Sequence, residues 1–387
     1  MNLPEPSADA RAHSRRVAAC LHDEIEGSGG WISFARYMEL ALYAPGLGYY
    51  MAGARKLGRD GDFVTAPEIS DLFGQTLAQQ VRQVLAAGYE EVLEVGAGSG
   101  ALAASLLAEL ERLGALPSRY LILELSPDLR GRSRDTIASR VPHLMERVAW
   151  LNQLPPSFNG CVIGNEVLDA MPVNVVCRDG LSLSEQGVVI KGEGFGWAAR
   201  PMPEALRAQV DTSYFAESGY CTEFQLVARG FVRTLGRMLE RGAALFVDYG
   251  FPRHEYYHPQ RTRGTLMCHY RHHAHDDPFF LPGLQDITSH IDFTAIADTA
   301  RESGLELLGY TNQAQFLINC GITDLLARTP AQDARAYLPL AAQVQQLTSP
   351  AEMGELFKVI ALGRDVPQPL LGFRSGDKRH TLWPPGM

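Results

Sequence analysis

The chain has 387 residues, of which 46% are hydrophobic, and its formal net charge is −9 at pH 7. This composition supports a large apolar core and excludes a disordered chain, and the length suggests two domains or one domain with large insertions. An acidic chain is a poor candidate for binding nucleic acid, whereas it suits a protein partner that carries arginine or lysine.

The cysteines and the N-terminal residues indicate the cellular compartment of the protein. No two of the six cysteines form a C-x-x-C pair, so we expect neither a zinc site nor a disulfide framework. The first 16 residues lack the apolar segment of a secretory signal. Arg11, Arg15 and Arg16 weakly favour a transit peptide, whereas Glu5 and Asp9 oppose one. No apolar run is long enough to span a bilayer. We therefore expect a cytoplasmic protein with no membrane partner.

Residues 1–88 predict a helical N-terminal cap with a lid loop. Helical patterns cover residues 13–43, where Ser33 is a candidate N-cap, and residues 71–88. The segment between them, residues 44–70, is dense in glycine, proline and aspartate and predicts a loop.

From residue 89 to residue 364, short apolar strands alternate with helices. One helix has Ser126 as its expected cap and Pro127 at its first position. Such alternation predicts βαβ units and a mostly parallel sheet in a doubly wound α/β fold. Two insertions interrupt it, at about residues 173–220, with a hairpin turn at Asp179-Gly180, and at about 251–290. The proline-rich residues 365–387 predict a peripheral tail.

The stretch VLEVGAGSG, at residues 92–100, predicts a ligand-binding loop at the end of the first strand of this region. Gly96, Gly98 and Ala101 fit the short G-x-G-x-x-G/A pattern of dinucleotide sites, and Glu94 with Gly96, Gly98 and Gly100 fits the E-x-G-x-G-x-G pattern of S-adenosylmethionine sites. A third interpretation is a turn that only packs a helix on a strand.

The acidic residues beside this loop separate the two ligands in part. Glu94 would repel a pyrophosphate but suits the ammonium group of S-adenosylmethionine. Glu124 ends the next strand and can accept two ribose hydroxyls from either ligand, so it favours a nucleoside without choosing between them. Leu125, which follows Glu124, is assigned to the same cofactor site.

With these residues the chain resembles the MidA family of class I methyltransferases, from about residue 30 to about residue 362. The stretches that carry the resemblance are ISFARYMELALYAPGLGYY (32–50), GDFVTAPEISDLFG (61–74), EVGAGSGAL (94–102), LELSPDLR (123–130), GNEVLDAMPV (164–173), FVDYG (246–250) and PGLQDITSHIDF (282–293). The resemblance implies a seven-stranded Rossmann-like sheet with a substrate-side insertion, and methyl transfer from S-adenosylmethionine. It also implies arginine as the acceptor, because the family's mitochondrial member is a protein arginine methyltransferase needed for assembly of respiratory complex I.

An arginine acceptor calls for carboxylates, because the guanidinium group is a planar cation with five N–H donors. Asn165, Glu166 and Asp169 follow the strand that ends near Gly164, and one helical turn would place the two acids on the same face. The alternative is a helix capped by Asn165 with acids at its positive end. We assign Glu166 and Asp169 to the acceptor and Asn165 to the cofactor.

Further candidates lie in two other loops. Asp62 and Glu68 fall in GDFVTAPEIS, which the resemblance implies is part of a lid over the cofactor; routine turn chemistry is the alternative. We assign Asp62 to the cofactor and Glu68, with Glu166 and Asp169, to the acceptor. Asp248, in FVDYG, either contacts a substrate or orders its own loop.

The histidine density of HYRHHAHDD (269–277) departs from the family. Its spacing matches no zinc site, and we predict no metal.

The sequence leaves two other functions open: an NAD-linked oxidoreductase, and an assembly chaperone that binds S-adenosylmethionine without catalysis. A homodimer is compatible with the sequence but is not indicated by it.

Overall fold

The computed structural model describes residues 3–53, 64–215 and 217–383. Helices and strands are numbered along the chain. The helices are α1 (Ala8–Gly27), α2 (Phe34–Tyr43), α3 (Ala66–Ile69), α4 (Asp71–Ala86), α5 (Ala101–Arg112), α6 (Pro127–Arg140), α7 (Glu204–Arg207), α8 (Leu226–Met238), α9 (Arg253–Tyr256), α10 (Phe293–Glu302), α11 (Gln313–Asn319), α12 (Ile322–Leu326), α13 (Ala334–Thr348) and α14 (Met353–Leu356). The strands are β1 (Ile32–Ser33), β2 (Glu91–Val95), β3 (Arg119–Leu123), β4 (Val148–Leu151), β5 (Phe158–Asn165), β6 (Asn174–Asp179), β7 (Ser182–Lys191), β8 (Gly194–Pro201), β9 (Cys221–Phe224), β10 (Leu239–Phe251), β11 (Met267–Tyr270), β12 (His273–His275), β13 (Asp286–Thr288), β14 (Ile291–Asp292), β15 (Glu306–Asn312) and β16 (Phe357–Arg364).

The chain folds into two compact units. Unit one comprises Met1–Phe63, Leu168–Gly230 and Phe251–Asp292, and unit two comprises Val64–Val167, Phe231–Gly250 and Phe293–Met387. No helix among the described residues is long and apolar enough to cross a membrane.

Unit two contains a large, mostly parallel sheet. Seven strands lie in the order β15-β16-β10-β5-β2-β3-β4, and β16 runs antiparallel to both of its neighbours. The pairs from β10 to β4 are all parallel. The predicted α/β fold with a mostly parallel sheet is confirmed, although the sheet has eight strands in all rather than the expected seven.

The strand order creates a switch point beside β2. The chain passes from β2 through α5 to β3 on one side, whereas β5 pairs with β2 on the other side. In open parallel sheets, ligands bind beyond the carboxyl ends of the strands at such a point. A ligand is therefore expected at the segments that follow β2, β3 and β5.

Local signals account for the helices near this point. The Ser70 hydroxyl accepts a hydrogen bond from Leu72 N and begins α4, and the Ser126 hydroxyl accepts one from Leu129 N and begins α6. The Ser126 cap and the Pro127 start are as predicted. Residues 365–383, which the sequence places at the periphery, contribute Leu370 and Phe373 to the core of this unit.

Unit one contains two smaller sheets. The first has the order β1-β7-β6-β9, with β8 paired to β7. The hairpin predicted within residues 173–220 is formed by β6 and β7, although its two-residue loop is Gly180-Leu181, one residue later than expected. The Ser33 hydroxyl caps α2 through Arg36 N, as predicted.

The second sheet, β12-β11-β13, contains the histidine-rich segment. Arg271 and His272 have φ angles of 47° and 62° and form the two-residue turn between β11 and β12. His275 is 6% exposed. Across the described ranges, no group of three or more His, Cys, Asp or Glu side chains is arranged to hold a metal ion.

One finding corrects the expectation about cysteines. Cys177 of β6 and Cys221 of β9 occupy directly paired positions and form a disulfide. The N–H of Cys221 donates to Thr262 O instead of to β6. The Cys177–Cys221 pair therefore has no ladder hydrogen bond from that N–H, and side chains approach most closely at such positions.

Candidate cofactor and acceptor site

The glycine loop at the end of β2 requires its glycines. Gly96, Gly98 and Gly100 have φ angles of 70°, 53° and 82°, in the left-handed region that favours glycine. A Cβ atom on Gly100 would lie 2.7 Å from the Cα of Ser133 in α6, and one on Gly96 would lie 3.0 Å from Val167 Cγ2. The loop therefore packs against α6 and against the segment that follows β5.

Glu124 fastens the glycine loop from the end of β3. Its Oε2 accepts a hydrogen bond from Gly98 N at 3.0 Å, and its Oε1 accepts one from Ser126 N at 2.9 Å. The carboxylate is 9% exposed, whereas the next side chain, Leu125, is 62% exposed. An exposed leucine beside a buried acid offers an apolar surface next to a hydrogen-bonding group.

Glu94 lies beneath this loop and is only 1% exposed. Its Oε2 accepts a hydrogen bond from the Tyr120 hydroxyl at 2.7 Å. Burial raises the pKa of Glu94 to about 7, and the charge of Glu124 adds to this, whereas the Tyr120 hydrogen bond acts in the opposite direction. The charged form of Glu94 is therefore costly in the absence of a positive partner.

Glu68 of α3 contacts the glycine loop. Its Oε1 accepts a hydrogen bond from the Ser99 hydroxyl. Ser99 Oγ also accepts from Ala101 N at 3.3 Å, at the start of α5. Glu68 thus holds the helix that precedes α4 against the loop.

The segment after β5 differs from the prediction. Glu166 has a φ angle of 53°, and no helix follows β5, so the argument that Glu166 and Asp169 share a helical face is wrong. Glu166 N donates to Val247 O at 2.8 Å, which draws the turn towards β10. Left-handed backbone at a non-glycine residue costs free energy and is concentrated at functional sites.

Asn165 is the last residue of β5, and its side-chain amide is held by Glu166, the next residue. Its Nδ2 donates to Glu166 Oε1 at 3.0 Å. Its Oδ1 is buried and has no hydrogen-bond partner among the described residues. A buried acceptor in this state suits a ligand that brings a donor.

Asp248 orders the loops around it. Its Oδ2 accepts from Val167 N at 3.2 Å and its Oδ1 accepts from Tyr249 N at 2.9 Å. The side chain is 1% exposed. Asp248 was expected either to contact a substrate or to order its own loop. Its contacts favour a structural role, in which it holds the turn after β5.

Asp169 and Asp62 are the two remaining predicted site residues. Asp169 belongs to unit one, is 4% exposed, and its backbone oxygen accepts from Ser289 N at 3.1 Å. Asp62 lies outside the described residues.

The remaining candidates converge because they follow strands that run in the same direction. Residues 94–100, 124–125 and 165–166 lie at or beyond the carboxyl ends of β2, β3 and β5, and Asp248 lies within β10, three residues before its end. They supply left-handed glycines, an exposed leucine, two carboxylates beside the loop and an unpartnered amide oxygen. These groups fit a ligand with an apolar face, hydroxyl groups and a positive charge.

Two contributors to this site were not predicted, Ser99 and Tyr120. Ser99 lies inside the glycine pattern, so its position was a signal that a polar side chain could meet the loop. Tyr120 lies within an apolar strand, and only the pairing of β2 with β3 reveals that it reaches Glu94.

Comparison with known proteins agrees with this geometry. A family model for S-adenosyl-L-methionine-dependent methyltransferases matches residues 72–311. A COG1565 superfamily member from Burkholderia thailandensis, crystallised with S-adenosyl-homocysteine, is 53% identical, with a TM-score of 0.95 over 98% of this chain and all of that one.

More distant relatives cover most of the chain. "Protein arginine methyltransferase NDUFAF7 homolog, mitochondrial" of Drosophila melanogaster is 28% identical over 93% of this chain and 87% of its own length. "Protein arginine methyltransferase NDUFAF7, mitochondrial" of Bos taurus is 30% identical over 87% of this chain and 80% of its own length.

Proposed function

We propose that this chain, which belongs to the family of S-adenosyl-L-methionine-dependent methyltransferases, methylates an arginine side chain of a protein. The family settles the reaction class and the cofactor. An NAD-linked oxidoreductase is therefore no longer a candidate. The arginine acceptor is supported by the names of the relatives from Drosophila melanogaster and Bos taurus.

The cofactor site that we propose is formed by residues that follow β2, β3 and β5. Gly96, Gly98 and Gly100 let the backbone approach the ligand, and a carboxylate accepts up to about four hydrogen bonds, so Glu124 can serve both the loop and a ribose. Leu125 would cover the adenine, and Asn165 Oδ1 would accept from the amino-acid part. Glu94 would face the ammonium group.

S-adenosylmethionine supplies a methyl group that is activated by a positive sulfur. The protein's task is then to hold the acceptor nitrogen in line with it and to exclude water. Glu166 is half-buried at the end of β5, at the switch point, and its backbone conformation is fixed by the bond to Val247 O. Its carboxylate can hold a guanidinium group and localise the positive charge on it.

We propose indirect roles for two other acids. Glu68 would keep the glycine loop in place through Ser99, and Asp248 would hold the turn that carries Glu166. Asp169 remains a proposed acceptor residue on the grounds of its sequence position. Asp62 is proposed as a cofactor residue on the same grounds.

The left-handed conformation of Glu166 at the switch point is the observation that carries this proposal. A strained acidic residue persists when the surrounding structure holds it in place. We expect Glu166→Gln to lower the rate of methyl transfer by about 10- to 100-fold, because a hydrogen bond to a charged group contributes about 1.5–3 kcal/mol. Affinity for S-adenosylmethionine should stay within about twofold of wild type, because Glu166 serves the acceptor.

The test compares arginine methylation by mass spectrometry in cells with and without the gene. We expect particular arginine sites to lose methylation in the deletion strain and to regain it with wild type. The matched control is Glu302→Gln, which removes an exposed carboxylate of α10 and should restore methylation fully. Restoration by Glu166→Gln would refute the role of that residue. Absence of any dependent arginine site would favour a chaperone without catalysis.

The compartment and partners stay predictions. The curated relatives carry mitochondrial names, whereas the sequence predicts a cytoplasmic location. The predicted protein substrate fits the acidic net charge of −9.

A further inference from the structure

Glu94 lies on an otherwise apolar face of the large sheet. The residues next to it on this face are Val92 of its own strand, Tyr120 and Ile122 of β3, and Cys161 and Ile163 of β5, and all are at most 1% exposed. Side chains of paired strand residues point to the same face, so this environment follows from the register.

Tyr120 supplies the hydroxyl on this face. It pairs with Val92, two positions before Glu94, and its long side chain reaches along the face so that its hydroxyl lies 2.7 Å from Glu94 Oε2. A phenylalanine would fill nearly the same space without the donor. The tyrosine hydroxyl therefore has a specific contact that packing alone does not need.

We propose that Tyr120 is a positioning residue of the cofactor site, whose hydroxyl fixes the orientation and the charged state of the Glu94 carboxylate that receives the ammonium group. This inference rests on the proposed role of Glu94. A carboxylate held by one donor presents its other oxygen in a defined direction. Without that donor, the carboxylate is free to rotate and is more easily protonated on this apolar face.

The charge state supports the geometry. Burial raises the pKa of Glu94 to about 7, the charge of Glu124 raises it further, and the Tyr120 hydrogen bond lowers it. Burial also raises the pKa of Tyr120 well above its ordinary value, with contributions from Glu94 and Cys161. Tyr120 therefore stays a donor at every pH at which Glu94 titrates.

The experiment measures the affinity of the full chain for two nucleosides as a function of pH. One is S-adenosylmethionine, and the other is 5′-methylthioadenosine, which lacks the amino-acid part. We expect Tyr120→Phe to weaken S-adenosylmethionine by about tenfold or more at pH 7, because the lost hydrogen bond is to a charged group. The affinity for 5′-methylthioadenosine should change less than about twofold, which also reports that the variant is folded.

The pH profile supplies a readout that a packing role would not move. In wild type, affinity for S-adenosylmethionine should rise as pH increases through about 7, where Glu94 becomes charged. It should fall again as the ligand's own amino group loses its proton, at about 7.7–8.0 for α-amino groups, because the neutral amine no longer pairs with the carboxylate. Tyr120→Phe should move the acidic limb, the part of the profile in which affinity rises with pH, to higher pH, because the hydrogen bond that lowers the pKa of Glu94 is gone.

Tyr89→Phe is the matched control. Tyr89 is a buried tyrosine at the other end of β2 and donates to Asp365 O. We expect it to leave both affinities and the pH profile unchanged. Equal weakening of the two nucleosides by Tyr120→Phe, or an unmoved acidic limb, would overturn the inference.

A double-mutant cycle separates this inference from the proposed cofactor site. Glu94→Gln should weaken S-adenosylmethionine selectively, and adding Tyr120→Phe should then have no further effect. If Tyr120→Phe alone does not fold, the double variant, which lacks the buried charge, still gives this comparison. A normal affinity in Glu94→Gln would refute the role of Glu94 itself. Selective weakening by Glu94→Gln with an additive effect of Tyr120→Phe would refute only the role of Tyr120.

Discussion

At the scale of single residues, the candidate site combines groups that are costly in isolation. Glu94 is a carboxylate on an apolar face, Glu166 has a left-handed backbone, and Asn165 has a buried oxygen without a partner among the described residues. Each of these costs free energy in the ligand-free protein. A cationic ligand with hydrogen-bond donors would relieve the first and the third of these costs.

The free-energy cost of the charged Glu94 carboxylate can be measured through the pH dependence of stability. The folded protein binds the Glu94 proton more tightly than the unfolded chain does, since the pKa rises from 4.5 to about 7. The contribution of Glu94 to stability is therefore fully present below pH 4.5 and is lost as pH rises through about 7. We expect Glu94→Gln to be more stable than wild type at pH 8, by on the order of 3 kcal/mol, and nearly equal at pH 5.

Chemical denaturation of ligand-free wild type and Glu94→Gln at pH 5 and pH 8 measures this difference in the free energy of unfolding. Glu185 and Glu223 also have raised pKa values because they are buried, but they are common to both proteins and cancel in the difference. Glu302→Gln should match wild type at both values. A stability difference that does not depend on pH would show that Glu94 is not the titrating group.

At the scale of elements, the glycine loop connects β2 to α5 and packs closely against α6. Gly100 begins α5 with a φ angle of 82°, and the Ser133 backbone of α6 lies where its Cβ would be. Gly114, just after α5, also has a positive φ, of 64°, but a Cβ there would meet nothing within 4 Å. The two ends of one helix thus differ only in how closely another element approaches.

We expect Gly100→Ala to be more destabilising than Gly114→Ala. Both substitutions cost about 1–2 kcal/mol because alanine is strained at positive φ, and Gly100→Ala adds about 1–3 kcal/mol for the clash with α6. Only Gly100→Ala should also weaken S-adenosylmethionine binding. Thermal unfolding and calorimetric titration measure the two effects, and equal losses in the two variants would contradict the close approach.

The elements that the sequence predicts well are those with strong local signals. The caps Ser33 and Ser126 and the alternation of strands and helices are local, and they are confirmed. The turn after β5 is different, because Val247 and Asp248, 81 residues away, bind the backbone of Glu166 and Val167. A local pattern that favours a helix cannot report such a contact.

The disulfide escaped prediction for a similar reason. Cys177 and Cys221 are 44 residues apart and meet only because β6 and β9 pair in one register. Spacing rules for cysteines describe local motifs and do not include such pairs. The contact between Tyr120 and Glu94 likewise depends on the pairing of β2 with β3.

At the scale of the whole molecule, the strand order decides where chemistry takes place. The order β3-β2-β5 brings three strand ends to one edge, where the acidic and glycine residues of three separate sequence stretches lie, and Asp248 of the neighbouring β10 binds the turn after β5. No single stretch would specify the site by itself. Their shared position beyond a switch point supports the proposal that they form one site.

A crystal structure of this chain with S-adenosyl-homocysteine tests that central claim most directly. We predict the ribose hydroxyls within hydrogen-bond distance of Glu124, the adenine against Leu125 and the ammonium group on the side of Glu94. A nucleoside bound away from residues 94–100, or a Glu124 carboxylate that turns away from the ribose, would contradict the account.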